Sequence, residues 1–244
     1  MEGPSLVILK EELKPFIGKK VLKVSGYANK HVNFDDIEGQ TLKWVKPWGK
    51  HLLYGIGKRI YKTHFGLFGS YRINEEIERN PSLRLQFSNG FVLFLISSVR
   101  ELTKVEFAEY DWRVDTLARE WDEDHVLKLA KQQPETLLCD LLLDQDLFSG
   151  SGNIIKNEVL FRQRLYPDLK VNDISARKLR SLVREVRNYS KDFYKWKKKY
   201  ELRKHWQVYK QFYCKVSEDK LVRKKMGKWP RMTFYCPTCQ PKLK

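Results

Sequence analysis

The apolar residues change their rhythm near residue 110, and that change restricts the fold more than any other feature of the chain. From about 20 to 108 they fall in short runs of β-forming type: Val21-Leu22-Lys23-Val24, Leu52-Leu53-Tyr54, Leu83-Arg84-Leu85-Gln86-Phe87 and Phe91-Val92-Leu93-Phe94-Leu95. Ser88-Asn89-Gly90 between the last two runs is a hairpin turn signal. Ahead of them, Leu6, Leu9, Leu13 and Phe16 share one helical stripe over 5–17, with Pro15 near its end. The first half therefore predicts an antiparallel β-sandwich with an N-terminal helix.

Beyond a polar stretch at 109–121, read as a linker, the spacing predicts helices near 123–132, 134–147, 153–165, 173–188 and 190–206. Lys215 to Gln240 predicts a terminal hairpin. The fold class is α+β, and three domains are expected: 1–115, 122–206 and 207–244.

Charge narrows the partner. The chain of 244 residues carries 47 Lys and Arg against 30 Asp and Glu, a net +17. Residues 191–244 hold 17 of those bases against 4 acids, which is +13 of the excess. Phe193, Tyr194, Trp196, Tyr200, Trp206, Tyr209, Phe212 and Tyr213 are interleaved among them. A dense cationic segment with aromatics suits a polyanion, because each phosphate neutralised releases counterions. No run of 18 apolar residues exists to span a membrane, and Met-Glu-Gly-Pro lacks the basic and apolar regions of a signal peptide. Four cysteines make no disulfide framework, so a reduced, cytoplasmic or otherwise intracellular chain is expected.

Asp144-Gln145-Asp146-Leu147-Phe148-Ser149-Gly150-Ser151-Gly152-Asn153 reads as a helix end passing through glycines into a new helix start. Taken alone, this is either an ordinary helix–helix turn with Asn153 as N-cap, or a phosphate site built from backbone N–H groups with the Asn153 amide added.

Taken together, the motifs resemble a family. Leu141-Leu142-Leu143-Asp144-Gln145 through Gly152-Asn153, then Asn157-Glu158-Val159-Leu160-Phe161-Arg162 and Tyr166-Pro167, resemble the helix–two-turn–helix of the formamidopyrimidine-DNA glycosylase / endonuclease VIII family. Arg231-Met232-Thr233-Phe234-Tyr235-Cys236-Pro237-Thr238-Cys239-Gln240 resembles its C-terminal zinc-finger hairpin. Glu2-Gly3-Pro4 and Gly49-Lys50-His51-Leu52-Leu53 fit in the same order, so the resemblance covers essentially the whole chain. It implies that 1–115 is a catalytic β-sandwich, 122–206 a helix–two-turn–helix DNA-binding domain and 207–244 a zinc-finger-like hairpin.

The resemblance also implies roles. Glu2 is similar to the family's general acid/base carboxylate, Lys50 to its essential hairpin lysine, and Asn153 and Arg231 to its two phosphate clamps. Lys and Arg supply charge-assisted bonds to phosphate, and a carboxylate shuttles protons. Family members usually read Met-Pro-Glu-Gly-Pro, with the processed proline as nucleophile; here Glu2 follows Met1 directly. A bulky second residue blocks removal of the initiator, which leaves the Met1 α-amine in the nucleophile's position. An α-amine titrates near 7.7–8.0, so on the order of a tenth is neutral at pH 7. Attack at C1′ gives a Schiff base, whose electron-sink character drives β-elimination with or without a following δ-elimination.

A flipped base leaves a hole that a wedge must fill. His64-Phe65-Gly66-Leu67-Phe68-Gly69 resembles the family loop bearing one wedge, here Leu67. Val99-Arg100-Glu101-Leu102 resembles the second wedge loop, where the family often has Arg-Arg-Phe; Arg100 matches and Glu101 and Leu102 depart from it.

A zinc site needs four ligands. Cys236 and Cys239 form one pair, and Cys214 stands opposite with Ser217 where a second cysteine is usual. One structural zinc with an outside fourth ligand, His205 or Asp219 among the candidates, stands beside a metal-free hairpin held by packing; no organic cofactor is expected. Cys139, on an apolar helix face, reads as core.

The expected function is a bifunctional DNA glycosylase/AP lyase of base excision repair acting on oxidised bases. Its partner is damaged DNA, with no membrane association and a monomeric chain. The alternative is a non-catalytic nucleic-acid-binding protein of the same fold, with a zinc-ribbon transcription factor behind it.

Overall fold

A computed structural model describes residues 1–242. Their contacts divide the chain into two units. One comprises Met1 and Ser5–Tyr110; the other comprises Glu2–Pro4 and everything from Asp111 onward.

From Ser5 the first unit carries the rest of helix α1 (Gly3–Glu12), then a 3-10 turn at Lys14–Phe16, where Pro15 sits in the first turn. The predicted stripe is the buried face: Leu6, Leu9, Leu13 and Phe16 are all at most 4% exposed. Eight strands follow: β1 (Lys23–Ser25), β2 (Leu42–Trp48), β3 (His51–Ile56), β4 (Arg59–His64), β5 (Ser70–Ile73), β6 (Leu83–Phe87), β7 (Gly90–Leu95) and β8 (Ser98–Leu102). They form two four-stranded antiparallel sheets, ordered β1-β6-β7-β5 and β2-β3-β4-β8. Phe87 pairs with Gly90 across Ser88-Asn89, at the predicted turn. Alternation along β6 buries Leu83, Leu85 and Phe87, which join the α1 stripe in one apolar core. The short helix α2 (Lys104–Ala108) closes the unit with a reciprocal Thr103–Glu106 capping box.

In the second unit the stretch read as a linker is packed. Val114 and Asp115 are buried, and Asp111 accepts a hydrogen bond from the ring of His125 at 3.0 Å. Four helices follow: α3 (Glu123–Lys131), α4 (Leu138–Leu141), α5 (Asn153–Arg162) and α6 (Ala176–Lys198). Two predictions are corrected here. The helix expected over 134–147 shrinks to the single turn α4, because Asp144 and Gln145 turn their side chains onto the backbone N–H groups of Asp146 and Gly150. The helices expected at 173–188 and 190–206 are mostly one, since the stripe Leu179, Leu182, Val183, Val186, Tyr189, Phe193 continues without a phase break. The chain ends in a hairpin of β9 (Val222–Met226) and β10 (Arg231–Tyr235), with Tyr235 paired to Val222.

Three consecutive polar residues of α5 locate this hairpin, and all are fully buried. Lys156 Nζ donates to Thr233 Oγ1 at 2.8 Å, and Asn157 Oδ1 accepts from Phe234 N at 2.8 Å. The Glu158 carboxylate accepts from the N–H groups of Gln207, Val208 and Tyr209 at 2.8–3.1 Å. Satisfied polar groups of this kind define one position for the hairpin where apolar contact alone would allow several. Among the described residues, no helix is long and apolar enough to cross a membrane.

Candidate functional site

In the first unit, the Met1 nitrogen donates to the carbonyl of Gly66 at 2.9 Å, at the turn between β4 and β5. Gly66 holds φ +53°, and its own N–H donates to His64 Nδ1 at 3.3 Å. That bond makes Nδ1 an acceptor and favours the neutral ring. Burial lowers the His64 pKa, and the amino terminus, Lys50 and Lys62 lower it further. Lys50 occupies the tip of the β2–β3 hairpin, where Trp48 pairs with His51 across Gly49 at φ +52°.

His51 and His64 face each other across β3 and β4, their rings 5.4 Å apart. Burial, then Lys62, His64, Arg100 and Lys50, push the His51 pKa down to about 3. Tyr110 holds His51 Nδ1 at 3.3 Å. The unit thus gathers the amine and three cations, Lys50, Lys62 and Arg100, around two neutral imidazoles. Such a surface suits phosphate without adding further charge from the rings.

The two wedge candidates part company. Leu67 lies at the β4–β5 turn and is 68% exposed. The segment read as a second wedge loop is a strand instead: Arg100 and Glu101 are paired within β8 to Lys62 and Tyr61, and Leu102 is buried at 3%. Glu101 is bonded to Arg59 at 2.8 Å, and Arg100 to Glu106 at 2.7 Å. The strand forms because β4 offers a free edge, and its side chains already have partners.

In the second unit, Glu2 occupies the N-terminus of α5. Its Oε1 accepts from Ile154 N at 2.7 Å and its Oε2 from Ile155 N at 3.3 Å. The helix cap is Gly152, not Asn153, and the backbone donors anticipated for a phosphate are taken by this carboxylate. Gly152 is required there, since a Cβ would run into the Glu2 side chain. Gly3 N donates to Gly150 O at 2.9 Å and ties the segment down beside it.

Asn153, freed from capping, donates its amide to Met232 O at 2.9 Å. Its neighbour Arg231, exposed at the start of β10, therefore lies beside it. The unit thus brings together the two clamp residues singled out in the sequence. Sequence reasoning missed Tyr209, whose hydroxyl lies against Asn153 with Glu2 nearby, and whose pKa is raised first by burial and then by Glu2. It also missed Lys156, fully buried, with its pKa lowered to about 8 by burial. Tyr209 stood in the sequence only among the aromatics of the cationic segment, and Lys156 has no signal beyond its residue type; the facing of His51 and His64 becomes visible only through strand register.

The sulfurs of Cys214, Cys236 and Cys239 lie within 4.8 Å of one another. Cys214 and Cys239 are 3.8 Å apart, close to the spacing of about 3.8 Å that two thiolates take on one tetrahedral zinc with bonds near 2.3 Å. Ser217 Oγ lies 3.2 Å from Cys236 Sγ. His205 is engaged elsewhere, stacked on Trp196 at 4.1 Å, and so is set aside as that ligand. The donor set fits zinc. Cys139 is buried, and burial and the neighbouring Asp140 push its thiol up to about 12.

A helix-led β-sandwich, a carboxylate seated at a glycine turn, and a helical unit ending in a cysteine hairpin define a protein of the helix–two-turn–helix class. Residues 114–192 match the family model described as the formamidopyrimidine-DNA glycosylase H2TH domain. Endonuclease 8-like 3 of Mus musculus is 34% identical over 212 residues, covering 83% of this chain and 35% of the relative. Endonuclease 8-like 2 of Bos taurus is 32% identical over 206 residues, covering 78% of this chain and 60% of the relative. Lactococcus lactis formamidopyrimidine-DNA glycosylase, solved non-covalently bound to DNA containing an AP site, superposes with a TM-score of 0.87 at 20% identity, over 99% of this chain and 100% of that one. The chain belongs to the formamidopyrimidine-DNA glycosylase / endonuclease VIII family. It spans about a third of the length of the Endonuclease 8-like 3 relatives it matches.

Proposed function

We propose that this chain is a bifunctional DNA glycosylase and AP lyase that excises oxidised bases from damaged DNA, with Met1 as nucleophile. The observation that carries this reading is the Met1 nitrogen held 2.9 Å from Gly66 O, among Lys50 and His64, one peptide bond from the carboxylate of Glu2. A neutral amine attacks C1′ of the flipped nucleotide. The N-glycosidic bond breaks, its electron pair leaves with the base, and Glu2 exchanges the proton that opens the sugar. Breaking of the C1′–O4′ bond, with that proton delivered to O4′, gives an iminium between Met1 and C1′. Loss of a C2′ proton then expels the 3′ phosphate, and a second elimination expels the 5′ phosphate where it follows.

Lys50, Asn153 and Arg231 hold phosphates through charge-assisted or amide hydrogen bonds. Leu67 fills the vacated stack. Arg100 adds a DNA contact when its ion pair with Glu106 opens. Cys214, Cys236 and Cys239 hold a structural zinc that cross-links the hairpin carrying Arg231, with Ser217 or water completing the set. Domains are assigned as 1–115, 122–206 and 207–244, the first catalytic and the others DNA-holding.

Borohydride reduction on abasic-site DNA tests the reading. The covalent adduct is expected, with the sugar remnant on the Met1 nitrogen in the mass spectrum of the N-terminal peptide. An adduct mapped to any lysine overturns the assignment, and acetylated or extended protein that still cuts the strand overturns the mechanism.

A further inference from the structure

Residues 191–204 take no part in the site described above, and they begin where the match to the helix–two-turn–helix, 114–192, ends. Seven Lys and Arg stand there against two acids, and both acids are engaged: Asp192 with Arg162 at 3.4 Å, and Glu201 with Lys204 at 3.6 Å.

This stretch is a fixed knob. The buried stripe of α6 ends at Phe193, yet the helix runs on to Lys198. The chain then turns back through the 3-10 segment Leu202–His205, and the His205 ring stacks on Trp196 at 4.1 Å. The edge of Tyr189 meets the same indole at 5.8 Å. Lys195, Lys199, Arg203 and Lys204 are left exposed around this anchor. The negative end of the helix dipole accounts for cations in the last turn of α6, but not for Arg203 and Lys204 beyond it. Tyr200 is a further anomaly. It ends the helix at φ +57°, where glycine is the ordinary choice, with its N–H bonded to Lys197 O at 3.0 Å. Its side chain is 95% exposed, so little packing offsets the strain of a left-handed tyrosine.

We propose that this knob is a second phosphate-binding surface, which holds the DNA backbone outside the damaged nucleotide. The inference rests on the clamp of Asn153 and Arg231 proposed above. The Tyr209 hydroxyl lies against Asn153, and Lys204 precedes Tyr209 by five residues, so their Cα atoms are within about 18 Å of each other. Duplex DNA rises about 3.4 Å per base pair, so the knob meets phosphates roughly within five base pairs of those on the clamp. Lys and Arg take phosphate through charge-assisted hydrogen bonds, and the Tyr200 hydroxyl adds a neutral donor. Continuity with the clamp on one structural unit favours DNA over an acidic protein or an anionic membrane.

The test uses the full chain and a duplex bearing a stable abasic analogue, with binding followed by fluorescence anisotropy. Neutral methylphosphonate linkages replace a run of phosphates, moved outward from the analogue along either strand. One placement away from the analogue is expected to weaken the parent by about tenfold. The triple variant Lys195→Gln, Lys199→Gln, Arg203→Gln should bind the all-phosphate duplex about tenfold more weakly, lower the salt slope by about 2–3, and be indifferent to that placement. Its melting midpoint stays at the parent's, since the three side chains are exposed. Tyr200→Gly should melt above the parent, through relief of the left-handed strain, yet bind about threefold more weakly. A triple variant with the parent's slope overturns the surface, as does a parent that no placement affects. If the triple variant keeps its DNA binding but loses binding to polyglutamate, the surface serves an acidic protein and the proposal fails. Arg231→Ala, measured alongside, keeps the two readings apart. A lowered slope there with none in the triple variant sinks the surface alone, while a parent that does not bind the duplex sinks clamp and surface together.

Discussion

Glu2 accepts from the backbone N–H of Ile154 at 2.7 Å, so the carboxylate assigned to proton transfer also satisfies an orphan donor at the start of helix α5. Its position is set by the helix rather than by its own rotamer preferences. Negative charge at this end gains from the helix dipole and from the unsatisfied N–H groups.

Gly152→Ala is expected to separate these roles. The glycine sits at φ −135° and ψ −161°, an extended conformation open to alanine, and the nearest conflict is the new methyl against Glu2. Base release should fall by roughly 100-fold as the carboxylate is displaced, within the range for general acid–base groups. Stability should fall by about 1–3 kcal/mol for the overpacked contact. Single-turnover excision and urea unfolding on the same preparation check both; an active variant would show that Glu2 needs no fixed seat.

Lys156 predicts an alkaline gain in stability. Burial holds its pKa at about 8 instead of 10.5, so between those values the unfolded chain binds a proton that the folded chain does not. Stability from this group therefore rises with pH across that window and is flat below it, by about 3 kcal/mol in all. Lys156→Met removes that rise, and urea midpoints at pH 7, 8, 9 and 10 for the two proteins measure the difference. Equal slopes would contradict the buried ammonium.

Arg231 is exposed, and its removal leaves the fold alone. Arg231→Ala should weaken DNA binding by about tenfold at low salt and reduce the salt slope by about one, uniformly across sequences. Titrations at several salt concentrations give the slope. A variant with the parent's slope would take Arg231 off the phosphate.

Cys236→Ser should lose bound zinc and loosen the hairpin, because two five-residue strands hold poorly without a cross-link. Metal content per chain and the far-ultraviolet melt report the two effects. Parent protein free of zinc yet equally stable would leave the hairpin to its packing against Phe161, Val208 and Leu221.

How much of this was legible in the amino acids depends on whether a feature is local. The α1 stripe and the Ser88-Asn89-Gly90 turn are local, and both lie where expected. The turn before α5 was visible, but not what fills it, because Glu2 is distant in sequence. Periodicity divided α6 into helices at 173–188 and 190–206, although Tyr189 and Phe193 keep the buried phase across that boundary. The neutral histidine pair was invisible because His51 and His64 meet only through the register of β3 on β4.

The Lys156-Asn157-Glu158 triplet has a consequence for how this chain tolerates change. Successive residues on an α-helix point about 100° apart, so the three hold partners in three directions at once. A single inserted or deleted residue within α5 would rotate all three together and unseat the hairpin in one step. Length variation in this part of the molecule therefore belongs in the loops on either side, and the helix behaves as a key cut to one lock.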